Sequence, residues 1–342
     1  MRKTGTVVLI ATLLMFNLVT AARPAYAARP AAKPAQADEL LRAVPQSSAI
    51  AIINVAQLSV QTHALLSQDA ELASKFQSQL NHIASLTGVN LQAIEQAVIG
   101  FSFDETTADP MPVIVLAGTF DQEQILARLT SISGDKWKAK KYKGQRIYMG
   151  PAQKGAASRS KQRTAIAFFD NQSRVAFGSA SDVKRAIEAR AGNQPSAADN
   201  AALMSALHQT SATASIRFAF TIPEALRQKL RTASGVPAFL RPLASINEVV
   251  GSVDLGDSGL QATASLVTSS GKEAGDLVTL INQGLALARL ALGNYPGGEL
   301  IISVLNSVSV AQAGNAANVT VNIPAETIRK LIDEYKSRVP QP

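Results

Sequence analysis

The sequence predicts an α+β protein, with antiparallel sheets built from hairpins, helices packed on one face, and an internal duplication giving two lobes. Three observations carry this expectation. Short β-rich runs come in pairs across tight polar turns, a connection only antiparallel strands allow. Segments with an apolar period of about 3.6 residues lie between the pairs and open on capping residues. The order strand–helix–hairpin–helix–hairpin–helix can be read twice along the chain.

The first reading begins at Ser48–Val55 (SAIAIINV), a β-rich run after Pro45. Residues 63–86 carry apolar side chains at helical spacing, and Gly88 ends the helix as a C′ residue should. Leu91–Gln96 reads as a further short helix. The runs 98–103 and 112–118 form a hairpin. Thr119-Phe120-Asp121-Gln122 reads as a capping box for a helix ending near Ser131. A second hairpin pairs 137–142 with 146–149, and a third pairs 164–169 with 174–178 around Asp170-Asn171. Ser179 or Ser181 caps a helix running to Arg190, and Gly192-Asn193-Gln194-Pro195 breaks the chain.

The second reading repeats this order. Residues 214–221 form a strand, Pro223 starts a helix, and 249–255 pairs with 260–268. Ser270-Gly271-Lys272-Glu273 is a capping box for a long helix. Residues 308–313 and 318–323 make the last hairpin, and Pro324 starts a helix ending by Arg338. Two local matches support duplication. Ile222-Pro223-Glu224 resembles Ile323-Pro324-Ala325-Glu326, and Val98-Ile99-Gly100 resembles Val249-Val250-Gly251.

The N-terminus predicts an address. Met1-Arg2-Lys3 is positive, residues 7–22 are mostly apolar, and Ala25-Tyr26-Ala27 offers a small-x-small cleavage site. Residues 1–27 therefore read as a signal peptide cut after Ala27, and the protein as secreted or periplasmic. The apolar run is shorter than the ~20 residues of a spanning helix, and no transmembrane helix is expected after cleavage. Residues 28–37 read as a Pro/Ala linker. The first lobe follows over 38–192, a connector over 193–211 and the second lobe over 212–339.

Composition narrows the chemistry. The chain has 342 residues, 46% hydrophobic and 17% charged, which is the balance of a folded protein. It has no cysteine, which removes disulfides, thiolate metal sites and cysteine nucleophiles together. At 5%, the low aromatic content weakens the reading of a cleft with sugar-stacking platforms without removing it. His63, His82 and His208 lie apart from one another, at none of the spacings a local metal site uses. G-x-S-x-G, H-E-x-x-H, Walker A and G-x-G-x-x-G motifs are all lacking. Two S-x-x-K matches, at Ser133 and Ser158, lack the partner motifs that would give them meaning, and Asp254-Leu255-Gly256-Asp257 lacks the later Glu of a calcium loop. No catalytic, cofactor-binding or metal-binding residue is assigned, and no cofactor is expected.

One charge asymmetry remains. Residues 136–163 hold ten Lys and Arg and no acid, in a chain of net charge +8 that falls to +5 once residues 1–27 are removed. Trp137, Tyr142 and Tyr148 are interleaved with the cations. Strand alternation puts Trp137 and Ala139 on one face and Lys138 and Lys140 on the other. The stretch 154–163 is expected to be a mobile loop. The candidate site for an anionic envelope surface or polyanion is Lys136, Trp137, Lys138, Lys140, Lys141, Tyr142, Lys143 and Arg146. The competing reading is an edge hairpin that lysines protect from aggregation. Export disfavours nucleic acid as the partner.

The joints Pro45-x3-Ala49-x4-Asn54-Val55, Gly118-Thr119-Phe120, Tyr142-Lys143-Gly144-x2-Ile147-Tyr148 and Val175-x-Phe177-Gly178-Ser179 lie along the expected first lobe. Together they resemble a loose group of uncharacterised secreted bacterial proteins. The resemblance covers mainly residues 45–190. It implies a bacterial envelope protein with a duplicated α+β body, and it brings no catalytic residues. The expectation is thus an exported envelope protein that binds or scaffolds rather than catalyses. The alternatives are a carrier with an apolar groove near Leu277–Leu292 and a hydrolase whose site is assembled from dispersed residues.

Overall fold

The computed structural model describes residues 34–66, 69–102, 112–151, 163–232, 238–293 and 298–338. The segment expected to be a signal peptide, the start of the expected linker, and residues 154–162 of the expected loop lie outside them. The chain divides into two compact units, residues 1–205 and 206–342, with the boundary inside the stretch 193–211.

The first unit starts earlier than composition suggests. Helix α1 (Pro34–Ala43) takes in the last residues of the Pro/Ala stretch, because Ala37, Leu40 and Leu41 line one side and are buried. Strand β1 (Ala49–Ile53) passes directly into α2 (Val55–Leu66), with the Asn54 carboxamide oxygen accepting from the Gln57 amide as the cap. Helix α3 (Ala70–Thr87) follows. The helix expected over 63–86 is therefore two helices, and the first of them begins eight residues earlier. The expected helix at 91–96 is a single 3-10 turn, Leu91–Ala93, before β2 (Ile94–Phe101). Strand β3 (Val113–Gly118) leads to α4 (Gln122–Ser133), which is capped by Asp121 rather than Thr119 and ended by Gly134 at φ 72°. Then come β4 (Lys138–Tyr142), β5 (Gln145–Met149), β6 (Thr164–Phe169), β7 (Arg174–Ser179), α5 (Ala180–Arg190) and α6 (Ala201–His208).

All pairings in this unit are antiparallel, in the order β1-β2-β3-β7-β6-β5-β4. Val98, Ile99, Ile114 and Val115 are all buried, so the central strands are covered on both faces. Burial of this kind stabilises each such side chain by about 1.5–3 kcal/mol. Helix α5 packs along β3, β5, β6 and β7, and α1 along β2 and β3.

The second unit comprises β8 (Ile216–Thr221), α7 (Glu224–Thr232), β9 (Ile246–Gly256), β10 (Gly259–Thr268), α8 (Gly271–Leu292), α9 (Gly298–Asn306), β11 (Val308–Ala313), β12 (Ala316–Pro324) and α10 (Ala325–Arg338). Ser270 caps α8, and the Glu273 carboxylate accepts from the Ser269 amide. The strand order is β8-β9-β10-β12-β11, again antiparallel throughout. Leu277 anchors α8 on a cluster with Ile246 and Ala317, flanked by Val249 and Leu266. On the opposite face the hydroxyls of Ser252 and Thr263 lie 3.1 Å apart, exposed.

The two strand orders correspond. Both units run strand, helix, hairpin, helix, hairpin, helix, and in both the last strand returns to pair with the second strand of the first hairpin. Among the described residues the first unit adds the hairpin β4–β5 beyond β6, and its helices differ too: α1 precedes β1 and two helices rather than one follow it, while the second unit places two helices, α8 and α9, between its hairpins. Val98-Ile99-Gly100 and Val249-Val250-Gly251 fall on equivalent strands, β2 and β9. The two Ile-Pro joints do not, since one leads from β8 into α7 and the other from β12 into α10.

Candidate anionic-surface site

The basic hairpin is an outer edge. Among the described residues strand β4 pairs with β5 alone, and the two-residue turn uses Lys143 and Gly144 at φ 46° and 84°. Left-handed backbone at both positions gives the twist that closes a tight hairpin. Beyond the turn, Ile147 and Tyr148 are both buried, so β5 is the strand that holds the hairpin to the body. The Tyr148 hydroxyl accepts from Gln122 Nε2 of α4 at 2.9 Å, and its ring meets Phe168 edge-on at 6.0 Å.

The eight candidate residues separate into two groups. Lys136, Lys138, Lys140 and Lys141 are exposed, and no acid among the described residues pairs with them. Tyr142 and Lys143 are engaged. Both reach Glu188 of α5, Lys143 at 2.9 Å and Tyr142 through its hydroxyl, while Lys184 Nζ sits 5.3 Å from the Tyr142 ring centroid. Glu188 is nearly buried, so these contacts fasten the hairpin tip to α5. Hydrogen bonds from Tyr142 and then Lys143 hold the Glu188 carboxyl below its ordinary range. The same bonds raise Tyr142 and Lys143 above theirs. Arg146 is exposed, and its interaction with the Tyr148 hydroxyl raises it. Trp137 is half-buried against Gly150, and its indole N–H is buried without an acceptor.

The expectation of one apolar and one cationic face needs correction. Lys138 and Lys140 stand on the Tyr142 face, and Lys141 stands with Ala139, opposite Arg146. Cations therefore occupy both faces, and Ala139 is exposed. The roles of Lys184 and Glu188 had no signal in the sequence, because they lie on a helix far along the chain whose docking is a tertiary fact. Of the remaining cations of the basic stretch, Arg163 is exposed, and those from 154 to 161 lie outside the described residues.

Other weak motifs resolve into structure. Asp254 accepts from the Ser215 amide and hydroxyl at 2.9 and 3.1 Å, tying β8 to β9. His63, His82 and His208 lie on three different helices. Among the described residues no three His, Asp or Glu side chains come together as a metal cluster, and no helix is long and apolar enough to cross a membrane.

Among solved structures, the chain is similar in outline to crystal forms of the protein TP0453. Form I aligns at 10% identity over 86% of this chain and 96% of that one, with a TM-score of 0.43. Form III aligns at 12% identity over 86% and 97%, with a TM-score of 0.46. Form IV aligns at 10% identity over 85% and 95%, with a TM-score of 0.39. Likeness at this level carries no inference about this chain. No curated protein matches it. The family of proteins of unknown function called DUF3352 matches residues 97–330, a span that begins inside the stretch 45–190 and runs through most of the second unit, and the chain belongs to that family.

Proposed function

We propose that the protein is an exported bacterial envelope protein that binds an anionic surface through the edge hairpin β4–β5 and acts as a binder or scaffold rather than an enzyme. The observation that carries this reading is the set Lys136, Lys138, Lys140 and Lys141. Among the described residues these cations are exposed and free of acidic partners, on or just before the hairpin that the first unit adds to the strand order common to both. Near an anionic membrane each such side chain contributes about 1 kcal/mol, screened by salt. Export rests on the leader at 1–27 with cleavage after Ala27, and the matching strand orders support a duplicated body with lobes at 38–192 and 212–339.

The lysines also serve the protective role of edge cations, and the two roles are compatible. The carrier alternative draws less support. Leu287 and Leu290 of α8 are 67% and 74% exposed, on the outside of the helix rather than in an enclosed groove.

Vesicle co-sedimentation tests the proposal. Protein with Lys138→Glu, Lys140→Glu and Lys141→Glu should lose at least ~100-fold in affinity for anionic vesicles at low salt, with an unchanged melting temperature. Soluble polyphosphate should compete with the vesicles if phosphate is the shared chemistry. Wild-type protein that ignores anionic vesicles at low salt would leave the lysines only their protective role.

A further inference from the structure

We propose that the outer edge of β11 is a pairing site for a second copy of this chain, which joins through antiparallel β11–β11 contact. Strand β11 is bonded on one side to β12, and among the described residues no strand pairs with its other side. The phase of the ladder tells which backbone groups are open. The Asn322 amide donates to the Ser307 carbonyl at 3.1 Å, so Ser307 and Asn322 form a hydrogen-bonded pair. Alternation then turns Ser309, Ala311 and Ala313 toward β12 and leaves the N–H and C=O groups of Val308, Val310 and Gln312 pointing away.

Sheet edges of this kind are ordinarily blunted by lysine, proline or a bulge. Among the described residues neither charge nor bulge blunts this one. No charged side chain occurs from residue 300 to residue 325, and the β11–β12 register is unbroken. Strand β4 shows the contrast, with Lys138, Lys140 and Lys141 along it. The corresponding strand order adds a second argument. Strand β11 occupies the place of β6, and β6 receives another antiparallel strand, β5, on its corresponding side, with Ile147, Tyr148 and Met149 opposite Ala167, Ile166 and Ala165. This position in the arrangement accepts one more strand.

Symmetry and charge select a copy of the chain as that strand. The three open residues are centred on Val310. A two-fold axis there sets Val310 against itself and Val308 against Gln312 of the second copy, and every outward donor meets an acceptor. A chain of net positive charge, +8 in full and +5 without residues 1–27, repels its copies over most of its surface, and this neutral run is where they can approach. Ser309, Ala311 and Ala313 are small, so they form no pockets for a foreign peptide's side chains, which is where strand addition obtains its specificity. The contact is small, so the dimer should be weak and dependent on concentration.

Sedimentation velocity and hydrogen exchange across a concentration series test this. Wild-type protein should dimerise as concentration rises, with the Val308, Val310 and Gln312 amides gaining protection. The proposed axis sets Ser309 opposite Ala311 of the other copy. Ser309→Lys with Ala311→Lys should therefore weaken the dimer about tenfold or more, and Ser309→Lys with Ala311→Glu should retain it. Both positions are exposed, and circular dichroism should show the fold intact. A wild type that stays monomeric, a dimer untouched by the double lysine change, or a Lys/Glu variant as weak as the Lys/Lys variant overturns the proposal.

Discussion

The Lys143 ammonium lies 2.9 Å from a Glu188 carboxylate oxygen that also accepts from the Tyr142 hydroxyl, so two adjacent residues of the hairpin tip converge on one acid of α5. The directions of titration agree. Glu188 is lowered, so its contribution is present above the unfolded carboxylate value and is lost as pH falls through the folded one. Lys143 is raised, so its contribution is present below its unfolded value and is lost as pH rises through the folded one. Tyr142 is raised as an acid, and ionising it above its unfolded value works in the same direction as deprotonating Lys143. The hairpin should therefore loosen at both extremes of pH. In Glu188→Gln the acid limb should disappear, and amides of β4 and β5 should exchange faster at neutral pH while those of β9 and β10 do not change. Equal exchange in wild type and variant would show that the tip is held by β5 alone.

Gly259 closes the β9–β10 turn at φ 127°, and a Cβ placed on it would come within 2.0 Å of the Ile323 carbonyl oxygen. Both the backbone and the neighbouring strand would have to shift. Gly259→Ala should cost about 2–4 kcal/mol, read as a drop in the denaturation midpoint. Gly144 also has positive φ but nothing within 4 Å of its Cβ direction, so Gly144→Ala should cost only the backbone strain, about 1 kcal/mol.

Such turns explain why so much of the fold could be read from the chain. Asp170-Asn171, Lys143-Gly144 and Gly256 to Gly259 punctuate β-rich runs, and each marks a hairpin that is present. What could not be read is non-local. Nothing near Val175 signals that β7 returns to lie beside β3, and that step makes the two strand orders alike. The start of helix α2 is hidden because Asn54-Val55 continues a β-branched run, and only the finished structure shows Asn54 as a cap. Helix α9 has no expectation set against it, since Ile301, Ile302 and Val304 are β-branched and the segment is helical by tertiary choice. At the candidate site the lysines were legible, because charge is local. Their division into free and engaged was not, because Glu188 is distant in sequence.

The long helix α8 tests how burial divides within one element. Leu277 is 0% exposed in the cluster with Ile246 and Ala317, whereas Leu290, on the same helix, is 74% exposed. Leu277→Ala should cost about 2–5 kcal/mol by transfer and cavity formation. Leu290→Ala should change stability by less than about 0.5 kcal/mol. Similar losses at both sites would mean that Leu290 is covered in solution.

Trp137 separates a purely electrostatic attachment from one that inserts a ring. It is the single tryptophan, so its fluorescence reports on the hairpin without ambiguity. The ring lies against Gly150, with Cζ2 3.1 Å from where a Cβ on that residue would stand. It is therefore occupied in closing the end of the hairpin, and the cations rather than the indole should carry binding. Trp137→Phe should leave affinity for anionic vesicles within about twofold, while reversal of Lys138, Lys140 and Lys141 abolishes it. Stability should change by no more than about 1 kcal/mol, because the smaller ring also removes a buried N–H that has no acceptor. In the wild type, the emission maximum should stay in place when vesicles are added. A blue shift on binding, together with lost affinity in Trp137→Phe, would mean that the indole leaves Gly150 and enters the interface, and the electrostatic account of the hairpin would then be incomplete.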